Sequence, residues 1–359
     1  MSRIEELIKE FCPDGVEYKK LVDTVTIERG KRVVREQLSP NGKYPVYQNS
    51  LTPLGFHTEY NNIANTTFII VAGAAGEIGY SDVAFWAADD CFTIVCPPSV
   101  INRYIYYALL RAQPQLLSKV RKASIPRLSR IAIENLIIPV PPMPVQREIV
   151  RILDNFTELT AELTAELTAR KQQYAYYRDK LLAFGDDVPK DTLENLCDFQ
   201  YGKGNSIPTA PGEYPVYGCN GVVGTTNVFN SIDAPVIGHI GSAGIVNWGK
   251  GKHFVTYNGT ICKVRPEKMI SRYAYHLLCS LHLEKFVKGS QPFLSYSDFA
   301  KETVAVPPLN IQQRVVSILD RFDTLCTDLS SGLPAEIEAR QKQYEYYRDK
   351  LLTFKEFGA

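Results

Sequence analysis

The chain carries one plan twice. Arg170–Phe184 matches Arg340–Phe354 at 11 of 15 positions, and Pro141–Phe156 matches Pro307–Phe322 at 8 of 16. Shorter echoes keep the same order. Tyr44-Pro45-Val46-Tyr47 returns as Tyr214-Pro215-Val216-Tyr217, and the turn from Gly73 to Ile78 returns from Gly241 to Val246. Ser124-Ile125-Pro126-Arg127-Leu128-Ser129 returns as Ser290-Gln291-Pro292-Phe293-Leu294-Ser295. A duplication with a period of about 170 residues predicts two similar bodies related by a pseudo-twofold axis, an arrangement suited to a ligand of similar symmetry. The pattern divides the chain into an N-terminal helical segment (1–15), a first module (16–140) and a first long helix (141–187). A second module (188–306) and a second helical segment (307–359) follow.

The helical segments give the clearest periodicity. Ile149, Leu153, Phe156, Thr160, Leu163, Leu167, Arg170, Tyr174, Tyr177, Leu181 and Phe184 alternate by four and three, a heptad seam over about five heptads. Prolines 139, 141, 142 and 144 precede it, where proline is tolerated, and Gly185 follows as an expected C-terminal cap. The span Val145–Phe184 predicts a helix of roughly 60 Å. The second segment runs through Val315, Leu319, Phe322, Cys326 and Leu329. Four extra residues then fall around Ser330-Ser331-Gly332-Leu333-Pro334, before the seam resumes at Ile337, Arg340, Tyr344, Tyr347, Leu351 and Phe354. Such an insertion is a stutter, and Pro334 predicts a kink or short break. Two such seams are expected to pair antiparallel. Ile4, Leu7, Ile8 and Phe11 have helical spacing and are expected to pack beside the C-terminal end.

The modules read differently. Phe68-Ile69-Ile70-Val71 has strand character and is followed by turn glycines, whereas Tyr104–Leu117 and Arg272–Val287 read as helices. The expected fold class is α+β: two small mixed α/β domains separated by two long antiparallel coiled-coil helices, with a pseudo-twofold internal repeat. At 359 residues, with 45% hydrophobic and 22% charged residues, both modules can hold a core. No apolar run is long enough to cross a bilayer as a helix, and acidic residues interrupt the N-terminal stretch, unlike a signal peptide. Eight scattered cysteines without a C-x-x-C predict reduced thiols in a cytoplasmic protein and no metal site.

The sequence carries no recognisable catalytic signature. The Pro-Pro pairs follow Cys96, Val140 and Val306, and none forms the D/N/S-P-P-aromatic loop of an adenine methyltransferase. There is no P-loop. The spacing Gly73-x-x-Gly76-x-x-Gly79 is not a dinucleotide fingerprint and predicts tight turns instead. Pro13-Asp14 with Glu17-x-Lys19 superficially resembles a nuclease motif, but the spacing cannot set both acids around one metal. The five histidines form no ligand pattern. The expectation is no catalytic residue and no cofactor.

Net charge is only +1, lower than most free DNA binders, so any nucleic-acid contact must be local or shared with a partner. Between Arg111 and Arg130 stand Arg111, Lys119, Arg121, Lys122, Arg127 and Arg130 with no acid, beside Ser124 and Ser129. Such a stretch suits phosphate oxygens. Its counterpart is weaker, with Lys285, Lys288, Ser290, Gln291 and Ser295. The loops after the two Tyr-Pro-Val-Tyr segments carry Gln48-Asn49 and Asn220. Asn and Gln can pair with adenine in the major groove, although turn chemistry also selects Asn. A third candidate is Lys31-Arg32, matched by Lys203 and Asn205. The modules thus share a framework and differ in loops, as two readers of unlike half-sites would.

Two divergent domains, each followed by Pro-Pro-x-x-x-Gln and Ile-Leu-Asp and then by Tyr-Tyr-Arg-Asp-Lys-Leu-Leu, resemble the specificity subunit of type I restriction-modification enzymes. The matching residues are Pro141-Pro142, Gln146, Ile152-Leu153-Asp154 and their partners Pro307-Pro308, Gln312, Ile318-Leu319-Asp320. Phe11-Cys12-Pro13-Asp14-Gly15-Val16-Glu17 is similar to a common start of that family. The resemblance implies that the modules are target recognition domains and the helices are conserved spacers. It also implies three kinds of partner: double-stranded DNA, two adenine methyltransferase subunits that bring S-adenosylmethionine, and restriction subunits. Arg178, Asp179 and Lys180 with Arg348, Asp349 and Lys350 are candidate methyltransferase contacts on outer helix faces.

The expected mechanism is a ruler: each module docks on one half-site of an asymmetric bipartite target, and helix length fixes the unread spacer at no more than about 18 base pairs. The alternatives are a coiled-coil adaptor that does not bind DNA, and a stand-alone nuclease or methyltransferase with an unrecognised site. Neither accounts for divergent loops on a duplicated framework.

Overall fold

A computed structural model describes residues 3–204, 211–327 and 332–358. The chain divides into two units, Met1–Glu162 with Glu338–Ala359, and Leu163–Ile337. Three helices dominate the spacer segments: α5 (Met143–Leu182), α8 (Leu309–Thr327) and α9 (Leu333–Leu351). The first half of α5 lies in unit 1 and the second half in unit 2.

Unit 1 begins with α1 (Arg3–Phe11) and the strand β1 (Tyr18–Lys20), and α2 (Leu21–Thr24) leads into the sheets. The main sheet is antiparallel, in the order β2 (Thr26–Arg29), β8 (Cys91–Val95), β5 (Thr66–Ile70), β6 (Ile78–Ser81). A second sheet places β3 (Tyr44–Tyr47) between β4 (Gly55–His57) and β7 (Trp86–Ala87), parallel to the latter. The chain then forms α3 (Asn102–Ser118), α4 (Arg130–Glu134) and β9 (Ile137–Pro139), which pairs with β1. The Asn102 side chain ties α3 to the main sheet. It accepts the Thr67 N–H at 2.7 Å and donates to the Ile94 carbonyl at 2.7 Å.

Burial explains the closure of unit 1. Ile4, Val16, Leu21, Tyr104, Leu109, Ile133, Val145, Ile149, Leu153 and Leu352 share one core. Withdrawing each such side chain from water contributes about 1.5–3 kcal/mol. The N- and C-terminal ends meet here, as the spacing of Ile4, Leu7 and Ile8 predicts: Val16 N–H donates to Lys355 O at 2.9 Å and Tyr18 Oη to Phe354 O at 3.1 Å. Phe11 does not join them, and is 41% exposed.

Unit 2 repeats the plan in its own strands. β10 (Lys190–Thr192) pairs with β17 (Thr303–Ala305), as β1 pairs with β9, and α6 (Leu193–Leu196) follows β10 as α2 follows β1. A six-stranded sheet runs β11 (Cys197–Tyr201), β16 (Gly259–Val264), β14 (Ser231–Gly238), β15 (Val246–Val255), β12 (Tyr214–Gly218), β13 (Gly221–Thr226). The long β15 does the work that β6 and β7 share in unit 1. It pairs antiparallel with β14 and parallel with β12, the latter through Val216↔Phe254 and Tyr217↔Val255. The equivalent pairs in unit 1 are Val46↔Trp86 and Tyr47↔Ala87.

The helices depart from the sequence reading in three places and follow it at Pro334. α5 ends at Leu182, not Phe184, and Gly185 does not adopt the left-handed conformation of a cap. The expected helix Arg272–Val287 stops early: α7 (Ser271–Ser280) is followed by left-handed His282 at φ 50° and a 3-10 turn, Leu283–Phe286. The heptad seam is unevenly covered, with Ile149 and Leu153 fully buried but Leu163 and Leu167 only half-buried. The second spacer segment is two helices, α8 and α9, with Pro334 in the first turn of α9, where a missing N–H costs nothing. Leu329, Ser330 and Ser331 of the expected insertion lie outside the described residues. Within unit 2, Tyr177 of α5 stacks on Phe322 of α8 at 5.6 Å, while the Cys326 thiol of α8 feels the charges of Lys171 and Arg170. These pairs run in opposite directions along the two helices, as an antiparallel seam requires. In unit 1, Phe156 stacks on Tyr347 of α9 at 5.4 Å.

Candidate nucleic-acid interfaces

In each unit, separated loops are laced into one surface by backbone hydrogen bonds, and most of the links recur in both. In unit 1, Gly30 lies against the Ala88 carbonyl, where an added Cβ would stand 2.1 Å from the oxygen. The next residue, Lys31, donates its N–H to Ala87 O at 2.9 Å, and Ala88 N–H donates to Tyr47 O at 2.9 Å. Past Tyr47, Asn49 O accepts from Ala74 N–H at 2.9 Å, and Gly73 N–H donates to Pro126 O at 3.1 Å. Gly73 and Gly76 have φ of 81° and 94°, so they form the tight turns that their spacing suggests. Arg121 and Arg127 close the path by exchanging backbone hydrogen bonds. A small satellite core of Phe68, Ile70, Phe85, Ala87 and Cys91 supports these loops.

The lacing brings together Lys31, Arg32, Gln48, Asn49, Lys122 and Arg127. Gln48 is half-buried and the others are exposed. Among the described residues none of these side chains has a hydrogen bond or ion pair, so their charges and carboxamides face water. Lys119 and Arg121 are exposed as well, but the two ends of the basic stretch are used internally. Arg111 donates to Leu352 O at 3.0 Å, and Arg130 pairs with Glu134 at 2.7 Å and caps Ile27 O. Ser129 is the N-cap of α4: its oxygen accepts the Ala132 N–H at 3.3 Å, which leaves the O–H of this exposed residue as a donor.

In unit 2, Lys203 N–H donates to Val255 O at 3.0 Å, Thr256 N–H to Tyr217 O at 3.0 Å, and Gly241 N–H to Pro292 O at 2.9 Å. Lys288 and Phe293 exchange backbone hydrogen bonds as Arg121 and Arg127 do. Lys203, Asn220 and Gln291 are exposed. Lys288 is spoken for, since Asp298 holds its ammonium at 2.6 Å and that contact keeps the Asp298 carboxyl below its usual range. Ser295 is likewise committed: it caps the turn at Tyr296–Asp298 and meets Tyr201 Oη at 3.0 Å. Asn205 lies outside the described residues.

Sequence reasoning did not anticipate the junctions between modules and helices. Gln146 is fully buried. Its Oε1 accepts the Ile101 N–H at 2.9 Å, and its Nε2 donates to Pro141 O at 2.8 Å and Ser99 O at 3.2 Å. Gln312 does the same with Ile270 N–H, Pro307 O and Lys268 O, each at 2.9 Å. Arg103 Nε donates to Asp154 at 2.8 Å, as Arg272 Nε does to Asp320 at 2.6 Å. The fourth partner differs. Tyr107 meets Asp154 in unit 1, whereas in unit 2 His276 Nε2 donates to Asp320 at 2.8 Å and Nδ1 accepts from Tyr174 Oη at 2.8 Å. Burial holds the His276 pKa below its ordinary value despite the nearby carboxylate. Burial raises Asp320, but the hydrogen bonds from His276 and Arg272 outweigh it and leave the carboxyl below its ordinary range.

The candidate partner contacts also repeat. Arg178 is 8% exposed and covers the Tyr174 ring at 5.7 Å, so it is not on an outer face. Arg348 is half-buried over Tyr344 at 5.9 Å. Each pairs with the following aspartate, Asp179 at 2.8 Å and Asp349 at 2.9 Å. Asp179, Lys180, Asp349 and Lys350 remain exposed.

Among the described residues, no group of three or more His, Cys, Asp or Glu could hold a metal, and no helix is long and apolar enough to cross a membrane. None of the eight cysteines is in a disulfide. Glu17 and Lys19 of the nuclease-like stretch simply pair with each other at 2.5 Å.

A duplicated α+β framework with matching helix junctions and unlike loop surfaces defines a two-reader recognition protein. The profile of the type I restriction modification DNA specificity domain matches residues 13–170 and 187–339, and the chain belongs to that family. A Mycoplasma pneumoniae protein provisionally described as a type I specificity subunit is 35% identical over 246 residues, 60% of this chain and 95% of that one. The Escherichia coli type I restriction enzyme EcoR124I/EcoR124II specificity subunit is 35% identical over 288 residues, 70% of each chain. The fold is that of the crystal structure of the type I restriction-modification S subunit from M. genitalium. The TM-score is 0.67 at 18% identity, with 94% of this chain and 96% of that one covered.

Proposed function

We propose that this specificity subunit reads an asymmetric bipartite DNA site, with residues 16–140 and 188–306 as its two target recognition domains. In this reading 141–187 and 307–359 are spacers that fix the number of unread base pairs, and 1–15 is a helical segment closing the chain. The reading is carried by one observation: the loop lacing recurs in the two units at Lys31 and Lys203, Ala88 and Thr256, Gly73 and Gly241, while the side chains it presents differ. Lys31, Arg32, Lys122 and Arg127 would hold phosphates of one half-site, with Gln48 and Asn49 set toward base edges. Lys203, Asn220 and Gln291 would serve the other half-site.

The chain would contribute recognition and no catalysis. Methyl transfer and cleavage would belong to two adenine methyltransferase subunits and to restriction subunits. The exposed residues Asp179, Lys180, Asp349 and Lys350 are offered as methyltransferase contacts. The absence of a membrane-crossing helix among the described residues is compatible with the cytoplasmic setting such an assembly needs. The near-neutral charge of +1 supports a shared DNA contact, since a partner would supply part of the electrostatics.

Mapping modified adenines in the host genome tests this reading. The expected pattern is two unlike half-sites at a fixed spacing. Deleting four residues around Ser331 should change the spacing or abolish assembly and leave both half-sites unchanged. An altered half-site at the old spacing would overturn the ruler.

A further inference from the structure

The shared lacing makes positions in the two units directly comparable. Gly30 and Gly202 press on the carbonyls of Ala88 and Thr256, each with a would-be Cβ contact of 2.1 Å, which equates Arg29 with Tyr201 and Asp89 with Tyr257. Leu128 N–H donates to Val71 O as Leu294 N–H donates to His239 O, both at 2.9 Å, which equates Val71 with His239 and Arg127 with Phe293. Four positions from four separate segments therefore change together. Unit 1 carries Arg, Val, Asp and Arg; unit 2 carries Tyr, His, Tyr and Phe.

In unit 2 these side chains form one aromatic group. Tyr201 and His239 lie 4.2 Å apart, His239 and Phe293 4.7 Å, and His239 and Tyr257 5.5 Å edge to face. His239 is buried; its Nδ1 donates to Leu294 O at 2.7 Å, and its Nε2 has no partner among the described residues. The ring thus serves as a wall. The group is not closed over, because Tyr257 is 41% and Phe293 38% exposed. Exposed Lys203 and Gln291 adjoin it in the lacing, offering a cation for phosphate and a carboxamide beside the apolar face.

We propose that unit 2 recognises thymine by packing its C5-methyl group against Phe293 and Tyr257. The assignment rests on the DNA reading proposed above. The thymine methyl is the apolar group on the floor of the B-form major groove, and an aromatic edge is a fitting contact for it. RNA offers neither a methyl on uracil nor an accessible major groove. At the equivalent place unit 1 presents the Arg127 guanidinium, which suits a phosphate or a guanine instead.

The test uses the chain assembled with its modification subunits and a randomised duplex library whose bound fraction is sequenced. Each thymine of the enriched duplex is then replaced singly by deoxyuridine. At least one thymine of one half-site should lose about fourfold in affinity with its methyl, the worth of one buried methyl group. Phe293→Ala should remove that difference and Phe293→Leu should retain most of it, while Arg127→Ala should weaken thymine and uracil duplexes alike. Tyr257→Ala, a change at a second exposed ring, should reduce the methyl effect as well. An enriched bipartite site with no methyl effect in either half overturns the proposal and leaves the DNA reading standing. A methyl effect that survives in both alanine variants also overturns it. If no sequence is enriched at all, the DNA reading itself fails.

Discussion

The Gln146 carboxamide oxygen accepts the backbone N–H of Ile101, the N-cap of α3, at 2.9 Å. One buried side chain thereby fastens the start of the spacer helix to the start of the module helix, and its Nε2 holds the Pro141 and Ser99 carbonyls as well. Gln312 repeats this at Ile270. Gln146→Leu strands one donor and two acceptors away from water, at about 1–3 kcal/mol for a group left unsatisfied. Urea unfolding should show a loss of about 2–4 kcal/mol for Gln146→Leu and for Gln312→Leu alike. A loss below about 0.5 kcal/mol in either variant would mean that the glutamine is not what joins the helices.

The junction in unit 2 carries an imidazole, His276, where that of unit 1 has the Tyr107 phenol. Burial depresses the His276 pKa, and His253 is shifted the same way by its burial. Below the ordinary histidine value of about 6.5, an unfolded chain binds protons that the folded one refuses. Stability should therefore fall as the pH drops from 7 toward 5, by at most about 1.4 kcal/mol per pH unit for each histidine, and level off once the folded rings protonate. Asp320 titrates lower and does not interfere in this window. His276→Gln can keep both hydrogen bonds without titrating, so urea midpoints across this range should show a shallower slope. An unchanged slope would assign the effect to His253.

What was legible in the sequence was periodic or repeated. The helical segments, the recurrence of Tyr44–Tyr47 as Tyr214–Tyr217, and the meeting of Ile4 with the C-terminal end all follow from spacing and self-similarity, whereas the strand pairing of those segments was not legible. Helix ends were less legible, because Leu182 stops α5 without the glycine cap that Gly185 suggested. Charged residues misled most. Arg178 reads as an outer-face contact, although its i,i+4 spacing from the seam residue Tyr174 places it over that ring and into the buried side. Ser129 and Ser295 read as phosphate contacts, and their second role as caps was not legible. The aromatic group of unit 2 was invisible because Tyr201, His239, Tyr257 and Phe293 come from four segments brought together only by the sheet.

Arg127 and Ser129 separate binding from folding within three residues. Arg127 is exposed with no partner among the described residues, so Arg127→Ala should leave stability within about 0.5 kcal/mol. It should weaken DNA binding similarly on all sequences and lower the slope of log K against log salt by about 1. Ser129→Ala removes the cap of α4 and should cost about 1 kcal/mol in a thermal or urea melt, with the salt slope unchanged. Salt titrations of both variants decide the matter. An unchanged slope for Arg127→Ala removes it from the phosphate surface.

Arg178 and Lys180 make the same separation for partner assembly. Arg178 is buried over Tyr174 and held by Asp179, so Arg178→Ala opens space beside an aromatic ring and should cost about 1–2 kcal/mol of stability. Lys180 is exposed, 5.8 Å from the outward Tyr176 ring, and Lys180→Ala should change stability by less than about 0.5 kcal/mol. If this face meets a methyltransferase subunit, Lys180→Ala together with Lys350→Ala should weaken co-purification of that subunit, since the two lysines occupy equivalent positions over Tyr176 and Tyr346. Full assembly by the double variant would move the contact elsewhere on the helices. A strong stability loss in Lys180→Ala would instead show that the side chain is packed within the fold.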